Sequence, residues 1–143
     1  MIYGTVRVSS SSGDVSLEVP REFYNYRASG EVWFSRRAEG GVHWGFGKIE
    51  ATSDIYVRAS NGEIWAGHPE GEPVFVNSSL SRFSASVRRM VLRWPYYSED
   101  SDYGDWEAAA QSLQEDLRAI DPESIERDGY WAEFVSAVEM GDF

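Results

Sequence analysis

A run of large apolar residues at helical spacing starts abruptly at position 80 and dictates what the rest of the chain must supply. Leu80, Phe83, Val87, Met90, Val91 and Trp94 fall within roughly a 100° arc of a helical wheel, with Arg82, Arg89 and Arg93 nearly opposite. The run follows the extended, apolar Pro73-Val74-Phe75-Val76, and the period changes at Asn77-Ser78-Ser79. Asn77 or Ser78 is expected to accept a backbone N–H there and nucleate the helix. Such a helix must lay its apolar face on a partner. The chain offers a strand-like first half and two helical segments behind, so the helix is read as a bridge between a sheet and a helical layer.

The first half is extended and turn-rich, and its opening alternates at period two. Ile2 to Val8 and Val15 to Val19 flank Ser9-Ser10-Ser11-Ser12-Gly13-Asp14, a hairpin with a soft loop that Pro20 closes. Arg21 to Gly30 has no clean period and reads equally as a turn, an irregular crossing or a strand. Glu31 to Arg36 has strand composition, and Glu39-Gly40-Gly41 supplies a turn. Val42 to Ile49, Asp54 to Ala59 and Ser60 to Ala66 follow; Asn61-Gly62 between apolar runs predicts a hairpin through a type I′ turn. Past Trp94, Pro95 ends the helix, and Tyr96 to Asp105 reads as a mobile acidic connection. Trp106, Ala109, Ala110, Leu113, Leu117 and Ile120 form a second helical stripe, stopped by Asp121-Pro122-Glu123. Tyr130, Trp131, Phe134, Val135 and Val138 form a third, with Gly141 as its C-terminal cap.

At 143 residues the chain has room for one core and is expected to form one domain. Without cysteine it has no disulfide, thiol nucleophile or thiolate metal site. No apolar run reaches membrane-spanning length, and Met1 to Arg7 lacks a basic stretch followed by an apolar core, so a cytoplasmic protein without membrane contact is expected. For the same reason Asn77-Ser78-Ser79 is read as a helix cap rather than a glycosylation site. The net charge of −11 is unevenly placed: residues 98–143 hold 14 acidic and two basic side chains, the preceding residues 10 acidic and 11 basic. That field repels nucleic acid and attracts basic surfaces.

Chemistry is sparse. His43 and His68 stand alone, with no carboxylate at ligand spacing. Gly41 to Lys48 has the wrong spacing for a phosphate loop, and Ile49 stands where a magnesium-binding hydroxyl is required. Dense carboxylates in the last third read as a solvated face rather than an acid/base pair. Arg82, Arg88, Arg89 and Arg93 form a basic patch on the central helix; pairing with the acidic C-terminal helices, or solvation, outweighs a phosphate-backbone site given the net charge. The chain is accordingly read as a non-enzyme with no cofactor and no metal.

One set of motifs goes further. Asp54-Ile55-Tyr56-Val57-Arg58-Ala59-Ser60-Asn61-Gly62-Glu63-Ile64-Trp65, Phe75-Val76-Asn77-Ser78-Ser79-Leu80-Ser81-Arg82-Phe83, Leu117 to Pro122, Tyr130-Trp131 and Val138 to Gly141 resemble, in that order, the SUKH superfamily of bacterial immunity proteins, specifically its fourth subfamily. The resemblance spans about residues 42–143. The first forty residues open with a hairpin where the family often has a longer, partly helical lead-in. The resemblance implies an α+β fold, a mainly antiparallel sheet packed by helices. It also implies an antidote that binds and blocks the toxin of a polymorphic-toxin system, often a nuclease or nucleic-acid deaminase. A binding or scaffold module on the same fold, with another protein or a small ligand, is the alternative, and oligomeric state is left open. The matching residues Gly62, Asn77, Ser78, Leu80, Phe83, Pro122 and Trp131 have structural explanations as turn, caps and core. Partner contact is therefore expected at the acidic connection: Glu99, Asp100, Asp102 and Asp105, with Tyr96, Tyr97, Tyr103 and Trp106 as aromatic anchors for a basic toxin domain.

Overall fold

The computed structural model describes residues 1–38 and 40–143, so Glu39 of the expected Glu39-Gly40-Gly41 turn lies outside the described residues. The N-terminal alternation folds as β1 (Thr5–Ser9) and β2 (Ser16–Pro20), a two-stranded antiparallel sheet. Six strands follow as a meander in which every neighbour is antiparallel: β3 (Glu22–Phe23), β4 (Tyr26–Arg37), β5 (Gly41–Ile49), β6 (Ser53–Arg58), β7 (Ile64–Gly67) and β8 (Val74–Asn77). Helices α1 (Leu80–Arg93), α2 (Tyr103–Ile120), α3 (Pro122–Glu126) and α4 (Tyr130–Glu139) complete the chain. The expected α+β architecture is what forms, an antiparallel sheet from the first half and helices from the second.

The ambiguous stretch after Pro20 is a tight hairpin. Tyr24 turns it with φ 53°, a conformation rare for a residue with a side chain. No glycine announces that turn. Beyond it β4 runs twelve residues and absorbs the strand expected at Glu31 to Arg36. Its register on β5 breaks between Ala28 and Trp33, and Val32 there meets Ser10 of the first hairpin.

Strand β6 shows how the sheet is sealed on both sides. Ile55 and Val57 face the helices, whereas Asp54, Tyr56 and Arg58 face away. On that outer face cations close over rings: Arg37 lies 4.3 Å from the Tyr56 centroid, Arg58 4.1 Å from Trp65 and Arg127 4.1 Å from Phe75. Two carboxylates tie the layer together. Asp54 pairs with Arg37 and Lys48, and Glu63 with Arg58 and Arg127.

On the inner face, Tyr26, Phe46, Ile55, Ile64 and Val76 meet Phe83, Val87 and Met90 of α1, Leu113 and Leu117 of α2, and Trp131, Phe134 and Val138 of α4. Each such side chain contributes roughly 1.5–3 kcal/mol by burial. The three helical stripes are thus oriented as their spacing predicts, and Leu80 and Trp94 lie at the margins of theirs.

Two local expectations are corrected. The Asn61-Gly62 hairpin forms, but not through a type I′ turn, because only Gly62 of the pair has positive φ (76°). Arg58 N–H donates to Glu63 O and Gly62 N–H to Arg58 O, which closes a loop over residues 59–62; Asn61 Oδ1 accepts from Glu63 N–H and holds Asn61 in an Asx turn. Neither Asn77 nor Ser78 caps α1. Ser79 does so, its Oγ accepting from Arg82 N–H at 3.2 Å. The two preceding side chains are taken by a carboxylate from the far side of the helical layer. Asp121 Oδ2 accepts from Asn77 Nδ2 at 3.0 Å and from Ser78 N–H at 2.8 Å, and its Oδ1 accepts from Ser78 Oγ at 2.7 Å. Asn77 Oδ1 in turn accepts from Trp131 Nε1 at 2.8 Å. Asn77, Asp121 and Trp131 are all fully buried, so this network joins β8, the α2–α3 junction and α4. Pro122 opens α3 at its first position, as its missing N–H favours.

Candidate functional site

The expected contact residues lie where α1 gives way to α2. After Trp94 the Trp94–Pro95 peptide is cis and the chain turns back across the helix ends. The connection is fastened rather than loose. Tyr96 Oη donates to Met90 O at 3.0 Å, Tyr97 Oη donates to Val138 O at 3.3 Å, and Tyr97 Oη accepts from Phe143 N–H at 2.8 Å. Ser98 and Ser101 close a turn on each other. Asp102 and Asp105 then form a reciprocal capping box at the start of α2, each carboxylate accepting the other's backbone N–H at 3.1 Å.

These bonds divide the eight expected contact residues. Tyr96, Tyr97 and Trp106 are half-buried and occupied within the molecule: Tyr96 packs on Phe134 and Phe143, and Trp106 on Tyr97 and Gly141. Glu99, Asp100, Asp102, Tyr103 and Asp105 are exposed. Glu99 and Asp100 make no hydrogen bond or ion pair with any described residue. Tyr103 is 59% exposed, and its phenol is pushed up by a hydrogen bond to Glu107 and by that carboxylate's charge, so it stays a neutral donor.

The fold brings other groups to this end that are distant in sequence. Glu139 stands close enough to add to the upward push on Tyr103. Helix α4 ends in a Schellman motif, with Gly141 at φ 79° and Asp142 N–H donating to Ala137 O, and this leaves Met140 71% exposed. Beside it a cleft of about 310 Å³ runs to Tyr24 and carries Glu50, Glu133 and Asp142 on its walls. Tyr24 and Met140 escaped sequence reasoning because one sits in a turn that no glycine marks and the other lies beyond a stripe read only for its core face.

The remaining candidates are placed elsewhere. His43, in β5, is fully buried against the Tyr56 ring, and neither ring nitrogen has a hydrogen-bond partner. Burial, and then Arg37 and Arg58 nearby, push its pKa down. His68 is exposed in the loop after β7, its Nδ1 accepting from Glu70 N–H. Gly41 to Lys48 is strand β5. Three of the four helix α1 arginines pair with the C-terminal helical layer, Arg82 with Asp121 at 3.8 Å and Arg89 and Arg93 with Asp116 at 3.4 and 2.6 Å, while Arg88 pairs with no described carboxylate. Among the described residues no group of His, Asp and Glu side chains could hold a metal ion, and no helix is long and apolar enough to cross a membrane.

Neither the curated proteins nor the solved structures contain a match to this chain. A family model does match, over residues 20–137. That span begins at residue 20 rather than 42, so it takes in β3 and β4 as well as the motif-bearing strands and helices. The Asn77-Ser78 pair, the Asp121-Pro122 junction and Trp131 all lie inside it and meet in one buried network. The chain belongs to the SUKH-4 immunity protein family.

Proposed function

We propose that this immunity protein blocks a cognate toxin that acts on nucleic acid, and that it holds the toxin through the acidic end of its helical layer. The observation that carries the reading is the surplus of carboxylates at that end. The Glu99 and Asp100 side chains make no bond within the fold, and they stand exposed close in sequence to Asp102, Asp105 and Glu107, with Tyr103 and Met140 as exposed apolar area at this end. A toxin that grips a phosphate backbone needs a basic cleft, and an acidic partner finds such a cleft quickly because long-range attraction steers the encounter. The exposed Tyr and Met then supply the short-range anchors. No catalytic step is required of the immunity protein, since covering the cleft excludes the substrate. Between the sheet and α1 the rings of Tyr26, Phe46 and Phe83 pack on one another, so no observation favours a small ligand there.

The test is association of the purified protein with the toxin domain encoded beside it, followed by stopped-flow fluorescence across a range of salt. Glu99→Gln with Asp100→Asn should slow association about tenfold at low salt and leave dissociation nearly unchanged. Unchanged association rates would remove this end from the interface. A neutral or acidic toxin surface, or binding indifferent to salt, would sink the electrostatic mechanism.

A further inference from the structure

Helix α1 has a second stripe that the core does not use. Ala85, Arg88, Arg89 and Leu92 recur at helical spacing on the side away from Phe83, Val87 and Met90, and Leu92 is 65% exposed. Single exposed leucines are ordinary. This one opens into a concavity of about 620 Å³, whose opposite wall is Ala119 and Ile120 at the end of α2 and whose end is closed by Tyr3. Small side chains at positions 85 and 119 give the groove its depth. Its charge opposes that of the chain. Asp116 is the one carboxylate in its lining and is already shared by Arg89 and Arg93, while Arg88 pairs with no described carboxylate.

We infer that this groove docks an acidic amphipathic helix of a partner protein. An apolar ridge at i, i+3 or i+4, and i+7 would lie along Leu92, Ile120 and Tyr3, and flanking carboxylates would meet the guanidinium groups of Arg88 and Arg89, whose planar forks suit them. The alternatives fit less well. A two-fold pairing of this face brings Arg88 towards its own copy. A nucleic acid finds two arginines here in a chain of net charge −11, too few for its usual electrostatic footprint. The groove lies at the C-terminal end of α2, about 25 Å along the helix from the acidic residues at its start. The inference therefore stands apart from the toxin contact proposed there.

The experiment uses the full chain, isotope-labelled, and two synthetic helical peptides of about 14 residues with the same leucine ridge, one flanked by Glu and the other by Lys. The Glu peptide should bind, with amide shifts confined to Tyr3 and its neighbours and to residues 84–92 and 116–120, and Leu92→Asp or Arg88→Glu should each weaken it about tenfold or more. Both positions are exposed, so the variants should keep the wild-type melting temperature. Equal binding of the Lys peptide, or no shifts in the groove with either peptide, would overturn the inference. So would a concentration-dependent dimer, seen by sedimentation without peptide and abolished by Leu92→Asp, which would assign the groove to a second copy.

Discussion

Removing the Asp121 carboxylate is expected to destabilise the protein by about 3–5 kcal/mol. Asp121 is fully buried and its two oxygens accept three hydrogen bonds, from Asn77 Nδ2, Ser78 N–H and Ser78 Oγ, with Arg82 at 3.8 Å as its only ion-pair partner among the described residues. In Asp121→Ala, Ser78 is partly exposed and can turn to water, but Asn77 is not: its Oδ1 keeps the bond from Trp131 Nε1, while its Nδ2 is left with only a 3.3 Å contact to Ser86 Oγ. The stranded amide and the lost charge-assisted bonds, a net of roughly 1.5–3 kcal/mol each and offset in part by no longer burying a charge, set the scale. A domain of this size has a total stability of about 5–15 kcal/mol, so the variant should melt roughly 10–15 °C lower. Asp121→Asn should cost only about 1–2 kcal/mol. Its carbonyl can keep the bonds from Asn77 and Ser78 N–H, Ser78 Oγ can rotate to accept from the new amide, and the price of burying a charge disappears. Urea denaturation of the wild type and both variants, with m-values compared, measures the three stabilities. A loss below about 1 kcal/mol in Asp121→Ala would refute the network as the joint between strand and helices. Equal losses in the two variants would show that charge, not bond geometry, holds it.

Three further outcomes follow from local geometry. Gly129→Ala should destabilise by about 3 kcal/mol in the same assay, because a Cβ there would clash with the Phe75 carbonyl oxygen, and neither the Cβ nor that backbone oxygen can rotate aside. Ser79→Ala should cost about 1 kcal/mol by losing the α1 cap, while Ser78→Ala, although it removes no cap, should cost at least as much through Asp121. For His43 the folded pKa lies below its ordinary 6.5, because burial and the adjacent Arg37 and Arg58 disfavour the charged ring. Its contribution is complete above pH 6.5 and is lost as pH falls towards the folded value, since the unfolded chain takes up a proton that the native state refuses. Wild type should therefore lose stability faster than His43→Phe as pH falls from 6.5 to about 5, and parallel pH profiles would contradict this.

What could be read from the sequence was what is periodic. The stripes of α1, α2 and α4 and the alternation of β1 and β2 follow from spacing alone, because burial on one side imposes a period of 3.6 or 2. The β3–β4 hairpin could not be read this way: the residue at positive φ is a tyrosine, and the Asn25 beside it is the one local turn signal in a stretch without a clean period. The role of Asn77 and Ser78 was likewise hidden. A polar residue before a helix ordinarily caps it, and the competitor for these two, Asp121, lies more than forty residues later. The outer face of the sheet was hidden for a similar reason. Arg37, Arg58 and Arg127 look like solvated charges until the strands place rings beneath them. The acidic end was visible as a cluster, but which of its members are free was not.

That last distinction decides how the partner surface must be probed. Asp102 and Asp105 are both exposed and acidic, yet each accepts the other's backbone N–H at the N-terminus of α2, where negative charge is also stabilised by the positive end of the helix dipole. Neutralising either would loosen the first turn of an 18-residue helix and shift Tyr103 and Trp106 with it. A slower toxin encounter in such a variant would report the loss of a cap as much as the loss of a charge. Glu99 and Asp100 lie outside the capping box and have no described bonds, so their removal changes the field and little else. The same reasoning holds at the other end of α2, where Arg89 is tied to Asp116 and Arg88 is not. Unpaired charges are common on this surface, Glu31, Arg36, Glu72 and Arg118 among them, so the lack of a partner does not by itself mark an interface; it marks the charges that can be removed to test one without disturbing the fold.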